Sequence, residues 1–375
     1  MISAQDSFFM KKAIELAKQG KGRTGLFPLS GAVLVKDNEI IGEGFFSQGS
    51  SGHAEYNAIK AGKGNTEGAI LYVVIEPCFL KGKNNSCADE IKKAGIKKVF
   101  VSMEDPNVSI KGKGIKEIFD NKIEVHFGLE AKLSQKLNEH FIKYYSSKTP
   151  FVNMVSCMTL DGKISTVIGD RDWIIWDESR NFLHELRSSY DTIISGVNTI
   201  IRDDPQLSSK AIGGRAPVKV IIDTYAKTPL NSKVFIKSKR DDLKPNVIIA
   251  VSAHATDERI KALTSAGAEV IVCSDEKYDD EKYSKVDIKK VLAYLGKKGF
   301  TSSIIESGGT LNASFIEEEL VDKLTFFITP KIVGGREALS PIEGEGISLM
   351  SQAIDLKDTN YTKLGDDLMF EGYIK

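Results

Sequence analysis

The strongest constraint on this chain is a set of three soft metal ligands between positions 53 and 87. His53, Cys78 and Cys87 offer one imidazole and two thiolates, which are ligands that zinc prefers. Structural zinc sites normally close their shell with four protein ligands, whereas catalytic sites keep one position for water. The three-ligand set therefore favours a catalytic zinc, and the fold must bring three separate segments together around it.

Glu55 follows the histidine by two residues, where a carboxylate can move protons without binding the metal. The order H-x-E, then P-C, then a second cysteine resembles the signature of zinc-dependent nucleobase deaminases. We therefore expect Glu55 to be the catalytic residue that carries protons between water and substrate. The second spacing is unusual, because eight residues separate Cys78 from Cys87, where the common signature has two.

The whole chain has the size and charge of a two-domain soluble enzyme. Its 375 residues are long for one core. Its formal net charge of +0 argues against a nucleic-acid or membrane-surface partner. No apolar run in the sequence is long enough to span a bilayer. Four cysteines make no disulfide framework, so we expect a cytoplasmic protein in which Cys157 and Cys273 are buried core thiols.

The first half alternates helical and strand patterns, which predicts an α/β/α sandwich. Predicted helices cover residues 7–18, 53–61, 87–94, 113–120 and 130–145. Predicted strands cover residues 31–35, 39–46, 70–75, 97–103 and 123–126. A polar stretch that ends in proline, residues 146–150, predicts the domain boundary. We therefore expect domains at residues 1–148 and 149–375.

The second half also alternates, and it predicts a second α/β unit with a mostly parallel sheet. Helices are predicted at residues 177–188, 256–266, 288–299 and 311–319. Strands are predicted at residues 151–158, 192–195, 218–223, 246–251, 269–272, 302–306 and 323–328. Ser307-Gly308-Gly309 precedes a predicted helix, so bare backbone N–H groups can approach a pyrophosphate there. The chain has no G-x-G-x-x-G motif after a strand, and a Rossmann fold is not predicted.

The spacing of the two cysteines resembles the bifunctional deaminase–reductase family of riboflavin biosynthesis, which suggests a cytidine-deaminase-like first domain. Residues 105–107 (D-P-N) and 112–114 (G-K-G) are similar to a segment that borders the substrate in that family. Between the two cysteines, Gly82 and Lys83 also match its pattern. The resemblance implies substrate contacts from Lys83, Asp105 and Asn107.

Three residues of the same half depart from the family pattern. Phe27 stands where the family has asparagine, and Phe79-Leu80 stand where it has a serine and a histidine. Losing such polar groups changes the discrimination of a site that hydrogen-bonds its substrate. We therefore expect the deamination chemistry to be retained and the substrate contacts of the pocket to differ from those of the family.

The second half resembles the reductase domain of the same family through six motifs in the family order. They lie at residues 158–164, 196–199, 203–205, 222–224, 306–309 and 330–335. The resemblance implies a dihydrofolate-reductase-like α/β domain that uses NADPH. It assigns cofactor contacts to Asp161, Gly162, Trp173, Gly196, Thr199, Asp203, Thr224, Ser307, Gly308 and Gly309.

The resemblance also implies substrate contacts from Arg187, Lys210 and Glu306, with Arg187 suited to a phosphate. Lys210 stands where the family has an arginine, so it keeps the charge without the planar fork. Arg171 and Ile175 stand where the family has hydroxyl side chains. These departures leave the exact substrate of this half open.

The leading hypothesis is a zinc- and NADPH-dependent bifunctional enzyme of riboflavin biosynthesis. It would deaminate 2,5-diamino-6-(5-phosphoribosylamino)pyrimidin-4-one and then reduce the ribosyl group to ribityl, with a small pyrimidine nucleotide as substrate and a homo-oligomeric state. Three alternatives stay open: a paralogue that acts on another aminopyrimidine nucleotide, a reductase with a noncatalytic deaminase-like domain, and a nucleic-acid-editing deaminase. The neutral charge argues against the last of these.

Overall fold

A computed structural model describes residues 2–25, 27–50, 52–79, 86–170, 174–211, 214–237, 245–274 and 285–374. The chain divides into two compact units, Met1–Lys148 and Thr149–Lys375. Among the helices of these ranges, none is both long and apolar enough to cross a membrane.

The first unit is a sheet with helices on both faces. In chain order its elements are α1 (Ala4–Lys18), β1 (Gly31–Lys36), β2 (Glu39–Phe45), α2 (Ala54–Ala61), β3 (Ile70–Ile75), α3 (Cys87–Lys93), β4 (Lys98–Met103), α4 (Lys113–Asp120), β5 (Glu124–Phe127), α5 (Ala131–Leu137) and α6 (Glu139–Ser147). The strand order is β2-β1-β3-β4-β5. β1 pairs antiparallel with β2 and β3, and the remaining pairs are parallel.

Two apolar clusters fill the spaces between this sheet and its helices. On one face, Met10 and Ile14 of α1 pack with Tyr72 of β3. On the other face, Ala58 of α2 and Ile91 of α3 belong to the second cluster. Successive strand residues point to opposite faces, so each strand contributes to both layers. The α/β/α sandwich predicted from the sequence is confirmed.

Two glycines of β2 allow α2 to lie directly on the sheet. A Cβ at Gly42 would come within 2.2 Å of the Ala58 carbonyl oxygen, and one at Gly44 within 2.4 Å of the Ala54 carbonyl oxygen. A larger residue at either position would push the helix outwards. This close approach fixes the start of α2, which carries two of the predicted site residues.

The single helix predicted over residues 130–145 is wrong, because the structure breaks it between α5 and α6. Asn138 sits at the break with φ −106° and ψ 22°. Its buried side chain accepts a hydrogen bond from the Leu29 amide at 2.8 Å and donates to the Leu29 carbonyl at 3.0 Å. Pairing with a distant backbone outweighs helix continuity at this residue.

The second unit is a larger α/β layer structure. In chain order its elements are β6 (Phe151–Thr159), α7 (Asp177–Ser188), β7 (Thr192–Gly196), α8 (Val197–Asp203), β8 (Val218–Ile222), β9 (Val247–Val251), α9 (Asp257–Ser265), β10 (Glu269–Val272), α10 (Ile288–Lys297), β11 (Ser302–Glu306), α11 (Gly309–Glu317), β12 (Lys323–Thr329), β13 (Leu356–Leu364) and β14 (Asp367–Ile374). The strand order is β10-β9-β8-β7-β11-β6-β12-β14-β13.

Seven strands of this sheet, from β10 to β12, run parallel, and β14 and β13 are antiparallel additions at one edge. Apolar clusters cover both faces, one around Ile193 and Phe327 and the other around Met154 and Phe315. Burial on both faces explains the continuous apolar strand sequences. The mostly parallel α/β fold predicted for this half is confirmed.

Three elements of this unit, α8, β13 and β14, are absent from the sequence prediction. Helix α8 directly follows β7 and is only seven residues long. Strand β13 lies at the sheet edge, where most of its side chains are exposed, and its pairing with β14 shifts register between Lys357 and Asn360. Helix α8 is shorter than the window over which helical periodicity is read, and β13 shows no apolar alternation.

Candidate metal centre and reductase cavity

Three elements bring the predicted zinc ligands into one cluster. His53 is the N-cap of α2, Cys78 follows the end of β3, and Cys87 is the first residue of α3. The His53 Nδ1 atom lies 3.2 Å from Cys87 Sγ and 3.5 Å from Cys78 Sγ, and the two sulfurs are 3.2 Å apart. Each donor can thus reach a common centre at bond lengths of about 2.0–2.3 Å, so the cluster fits a zinc ion.

Glu55 lies in the first turn of α2 and its carboxyl is almost fully buried beside this cluster. Burial raises the pKa of Glu55 to about 7, the charge of His53 opposes the shift, and the charge of the Cys78 thiolate adds to it. The hydrogen bond from the Cys87 thiol lowers the pKa of Cys78, against the effect of burial, and His53 lowers it further. A carboxyl with this pKa can both accept and return a proton near neutral pH.

Glu76 organises the segments around the metal cluster, and the sequence analysis did not identify it. Its buried carboxylate accepts four backbone N–H groups, from Gly114 at 2.8 Å, Gly112 at 2.9 Å, Ile115 at 3.2 Å and Asp105 at 3.3 Å. These bonds hold the D-P-N and G-K-G segments against Glu76, two residues before Cys78. A charged residue between an apolar strand and Pro77 was the available signal.

Asp105 and Asn107 lie in one tight turn of this region. The Asp105 carboxylate accepts the Asn107 N–H at 2.8 Å, and the Asn107 side chain accepts the Ser109 N–H at 3.0 Å. Burial raises the pKa of Asp105 to about 6, and the neighbouring Glu76 adds to the shift. Lys83 and Leu80 lie outside the described residues.

An aromatic wall lies beside the cluster, and it includes Phe27, one of the residues that depart from the family pattern. The Phe46 ring packs edge-on against the His53 ring at 5.4 Å, and the Phe27 ring packs against Phe46 at 5.3 Å. On another segment, the Lys113 ammonium lies 5.5 Å from the centre of the Phe79 ring. Phe27 and Phe46 form a continuous apolar surface that reaches His53, one of the predicted zinc ligands.

The second unit contains a cavity of about 210 Å³, here called the inner cavity, at the ends of β6 and β11. Arg187 from the last turn of α7 pairs with Glu306 at the end of β11, with Nε to Oε1 at 2.7 Å and Nη2 to Oε2 at 2.6 Å. Burial alone would lower the pKa of Arg187, yet the Glu306 carboxylate raises it. The pair therefore holds both charges inside the cavity wall.

Cys157 also lines the inner cavity, which corrects the expectation that it is a core thiol. Burial raises the pKa of Cys157 to about 12, so its thiol stays protonated at neutral pH. Cys273, by contrast, is buried in the apolar core as expected. Ile175 is buried in the core of the same unit, and Arg171 lies outside the described residues.

A larger cavity of about 730 Å³, here called the cofactor cavity, shares Thr199 and Ser307 with the inner cavity. The Ser307 Oγ accepts the Gly196 N–H at 3.0 Å, which joins the ends of β7 and β11. At Gly308 the space that a Cβ would occupy is open, whereas a Cβ at Gly309 would come within 2.4 Å of the Ser340 carbonyl oxygen. The start of α11 thus offers bare backbone to the cavity.

Nine of the predicted reductase residues line one or both of these cavities: Arg187, Gly196, Thr199, Asp203, Thr224, Glu306, Ser307, Gly308 and Gly309. Among the described residues, neither cavity is lined by Asp161, Gly162 or Lys210. Trp173 lies outside the described residues. Asp161 instead accepts the Thr159 hydroxyl and the Gly334 N–H at 2.6 and 2.7 Å, and the first of these bonds contributes most to lowering its pKa to about 2.

Comparison with known proteins decides the family. The profile of the RibD C-terminal domain matches residues 150–370. The profile of the cytidine and deoxycytidylate deaminase zinc-binding region matches residues 3–103. The riboflavin biosynthesis protein RibD of Actinobacillus pleuropneumoniae is 35% identical over 98% of this chain and 94% of its own length. The chain belongs to the RibD family.

Further RibD relatives agree along the whole length. The RibD protein of Aquifex aeolicus is 33% identical over 98% of both chains. The solved diaminohydroxyphosphoribosylaminopyrimidine deaminase/5-amino-6-(5-phosphoribosylamino)uracil reductase of Thermotoga maritima is 31% identical, covers 99% of both chains and has a TM-score of 0.84. A solved RibD of Acinetobacter baumannii has a TM-score of 0.85 at 29% identity over 99% of both chains.

The chain is therefore a bifunctional deaminase and reductase of riboflavin biosynthesis. Its first half is a zinc-binding, cytidine-deaminase-like domain, and its second half is a dihydrofolate-reductase-like domain of the NADPH-dependent type. The bifunctional deaminase and reductase function and both cofactors expected from the sequence are confirmed. A small nucleotide-like molecule is the substrate class that fits the deaminase domain.

Proposed function

We propose that residues 1–148 deaminate 2,5-diamino-6-(5-phosphoribosylamino)pyrimidin-4-one and that residues 149–375 reduce the ribosyl group of the product to ribityl. The observation that carries this proposal is the buried carboxyl of Glu55 beside a three-donor cluster. A structural metal site has no need of a buried, proton-accepting carboxyl next to its ligands.

For deamination, we assign His53, Cys78 and Cys87 as zinc ligands and Glu55 as the catalytic proton carrier. Bound zinc supplies Lewis-acid activation of the attacking water. Glu55 accepts a proton from that water and delivers it to the pyrimidine ring nitrogen. It then accepts the second proton from the added hydroxyl group as the carbonyl forms, and gives it to the departing amine, which leaves as ammonia. Its raised pKa suits these transfers. Asp105 and Asn107, which Glu76 holds in position, are proposed to bind the pyrimidine together with Lys83.

For reduction, bound NADPH supplies the hydride that converts the opened ribosyl C1 into the CH₂ of a ribityl chain. We propose that the pyrophosphate lies at Gly308 and Gly309, where the start of α11 presents N–H groups. Thr199 and Ser307 lie between the two cavities, so they can hold the nicotinamide close to the substrate. Asp203 is proposed to border the cofactor from the inner cavity. Asp161, Gly162 and Trp173 remain proposed cofactor contacts.

Glu306 and Arg187 are proposed to act together on the ribosyl chain. The Glu306 carboxylate can accept hydrogen bonds from ribosyl hydroxyls while it also accepts two from Arg187. A substrate phosphate reaches the fork of Arg187 only by exchange with this carboxylate. Lys210 influences the same region, since its charge helps to lower the pKa of His184, and we propose it as a phosphate partner.

An assay of the full-length protein tests the proposal. Incubation with the diamino-pyrimidine phosphate and NADPH should release ammonia and oxidise NADPH in equal amounts, and mass spectrometry should detect the deaminated and then the reduced product. Without NADPH, only the deaminated product should accumulate. Release of neither ammonia nor NADP⁺ by zinc-loaded protein would contradict the proposal.

The aromatic wall supports one alternative, a different aminopyrimidine nucleotide as the deaminase substrate. Phe27 and Phe46 cannot pair with amino or carbonyl groups, and each unpaired buried polar group costs roughly 1–3 kcal/mol. A less polar base, or one that stacks on these rings, would suit this wall. Competition between the diamino compound and cytidine or deoxycytidine monophosphate in the ammonia assay decides between the two substrates.

We further propose that the enzyme works in the cytoplasm as a homo-oligomer. All four cysteines are present as thiols, which suits a reducing compartment. Exposed apolar side chains in one segment of the second unit, Ile347, Leu349 and Met350, are suited to burial between copies. Light scattering of the purified protein gives the oligomeric state, and a monomer at micromolar concentration would contradict this proposal.

A further inference from the structure

The two ends of the cofactor cavity are chemically different. One end meets the inner cavity at Thr199 and Ser307, where the Arg187–Glu306 pair lies. The hydride donor must reach the substrate, so the nicotinamide belongs at this end. Thr224, Tyr225 and Lys227, which follow β8, and Lys285 line the cofactor cavity but not the inner cavity, and we take them to mark its other end. The adenosine half of the dinucleotide therefore extends towards these side chains.

The backbone that carries Lys227 is firmly held. The buried Asp223 carboxylate accepts the Lys227 N–H at 2.8 Å, and the Thr228 N–H and hydroxyl at 2.7 and 2.6 Å. From α9, Arg259 donates to the Ala226 and Thr228 carbonyl oxygens, each at 2.8 Å. Position 227 is thus fixed relative to the sheet, and only its side chain can adjust to a ligand.

The Lys227 side chain lies over an exposed aromatic ring that lines the same cavity. Its ammonium is 5.2 Å from the centre of the Tyr225 ring, and Tyr225 is 45% exposed. A cation at this distance is attracted to the ring face. Tyr225 can therefore stack with a base while it directs the Lys227 charge to the space beside that base.

The charges at this end favour a phosphate rather than a ribose diol. NAD-binding sites commonly use a carboxylate to accept the ribose 2′-hydroxyl, whereas NADP-binding sites use a cation. The carboxylate at this end, Asp223, is bound to its own turn, while Lys227 and Lys285 face the cavity. Glu343 lines the cavity near α11, where it accepts the Thr310 hydroxyl at 2.9 Å. The third cation, Arg202, comes from α8 and lies against Gly169.

We propose that Lys227, positioned by Tyr225 and assisted by Lys285, binds the adenosine 2′-phosphate and gives this reductase its preference for NADPH over NADH. The proposal rests on the proposed reductase function of residues 149–375. Hydrogen bonds to a charged phosphate are strong enough that losing Lys227 should weaken phosphate recognition by about 10- to 100-fold.

Calorimetric titration of the full-length protein with two ligands tests this assignment without catalysis. ADP-ribose and 2′-phospho-ADP-ribose differ only in the 2′-phosphate, so the ratio of their dissociation constants measures its recognition. The wild type should bind the phosphorylated ligand more tightly. Lys227→Gln should remove most of this preference while ADP-ribose binding stays within about twofold, and Lys227→Arg should retain the preference.

A matched control is Lys298→Gln, because Lys298 also lies over a tyrosine ring, 5.4 Å from the centre of Tyr294, but does not line the cavity. It should leave both dissociation constants unchanged. An unchanged preference in Lys227→Gln, or an equal loss in Lys298→Gln, would overturn the assignment. Failure of the wild type to bind either ligand would instead contradict the reductase function on which the assignment rests.

Discussion

Arg187 and Glu306 form a two-pronged ion pair across the inner cavity, with nitrogen–oxygen distances of 2.7 and 2.6 Å. They are 119 residues apart in the chain, and both line the space next to the cofactor cavity. The guanidinium also donates to the Ser208 carbonyl oxygen at 3.3 Å. Arg187, which was expected to bind a substrate phosphate, is thus paired with the Glu306 carboxylate in this structure.

The first prediction concerns this ion pair. Removing one partner of a buried pair leaves an uncompensated charge, which typically costs about 3–5 kcal/mol. Arg187→Gln and Glu306→Gln should each lower the free energy of unfolding substantially, and the double variant should lose less than their sum. Arg180→Gln is a matched control from α7, because its pair with Asp177 is exposed. Additive losses in urea unfolding would contradict the coupling.

The second prediction concerns the metal. Cys87→Ser should lower the zinc content from about one ion per chain and abolish ammonia release, because a hydroxyl is a poor zinc ligand. NADPH oxidation with the deaminated substrate should persist, since the reductase cavity lies in the other unit. Cys273→Ser alters a buried thiol outside the cluster and should keep its zinc. Elemental analysis would contradict the assignment if Cys87→Ser retained full zinc.

Sequence patterns predicted that His53, Cys78 and Cys87 come together, and the structure places them in one cluster. The prediction was possible because each of these residues lies next to the end of a helix or strand that the apolar periodicity also marks. The N-cap position of His53 and the start of α3 at Cys87 follow directly from those patterns. The same sequence patterns could not predict the helix break at Asn138. The hydrogen bonds that hold this break are made with Leu29, which is 109 residues away.

Sequence patterns also could not predict which charged side chains bind backbone groups far away in the chain. Glu76 accepts N–H groups from residues 29 to 39 positions further along the chain, so its local sequence looks like a strand end. Asp161 lies in a family motif, but it bonds the Gly334 backbone and does not line the described cavities. The order of the motifs was enough to predict the family. Which groups each side chain contacts could be seen only in the folded structure.

The third prediction concerns the independence of the second unit. Thr149–Lys375 has its own sheet and two apolar clusters. Residues 149–375 expressed alone should therefore fold cooperatively and bind NADPH, which increases cofactor fluorescence on mixing. A folded fragment that fails to bind NADPH, while the full chain binds it, would contradict an independent reductase domain.

The fourth prediction concerns pH. Burial and the charges of Arg187 and Lys210 lower the pKa of His184 from 6.5 to about 4, while Glu306 opposes the shift. Between pH 6.5 and 4 the unfolded chain binds more protons at this residue than the folded chain, so stability falls as the pH falls. His184→Gln should lose less stability than the wild type between pH 7 and pH 5 in urea unfolding.

A matched control for this prediction is His254→Gln, because His254 is an exposed histidine of the same unit. It should retain the wild-type loss of stability on acidification. Identical pH profiles for the wild type and His184→Gln would mean that His184 does not have a lowered pKa in the folded protein.

The Glu55→Gln variant separates deamination from reduction, so it is the sharpest test that Glu55 carries the proton in the first reaction. The variant keeps the shape of the side chain and all three zinc donors, but it removes the group that carries the proton, so ammonia release should fall at least about 10²-fold. With the diamino-pyrimidine phosphate as substrate, NADPH oxidation should stop as well. When the deaminated pyrimidine is supplied instead, NADPH oxidation should return to the wild-type rate. Near-normal ammonia release by zinc-loaded Glu55→Gln, or no NADPH oxidation by the wild type with the deaminated substrate, would contradict the account.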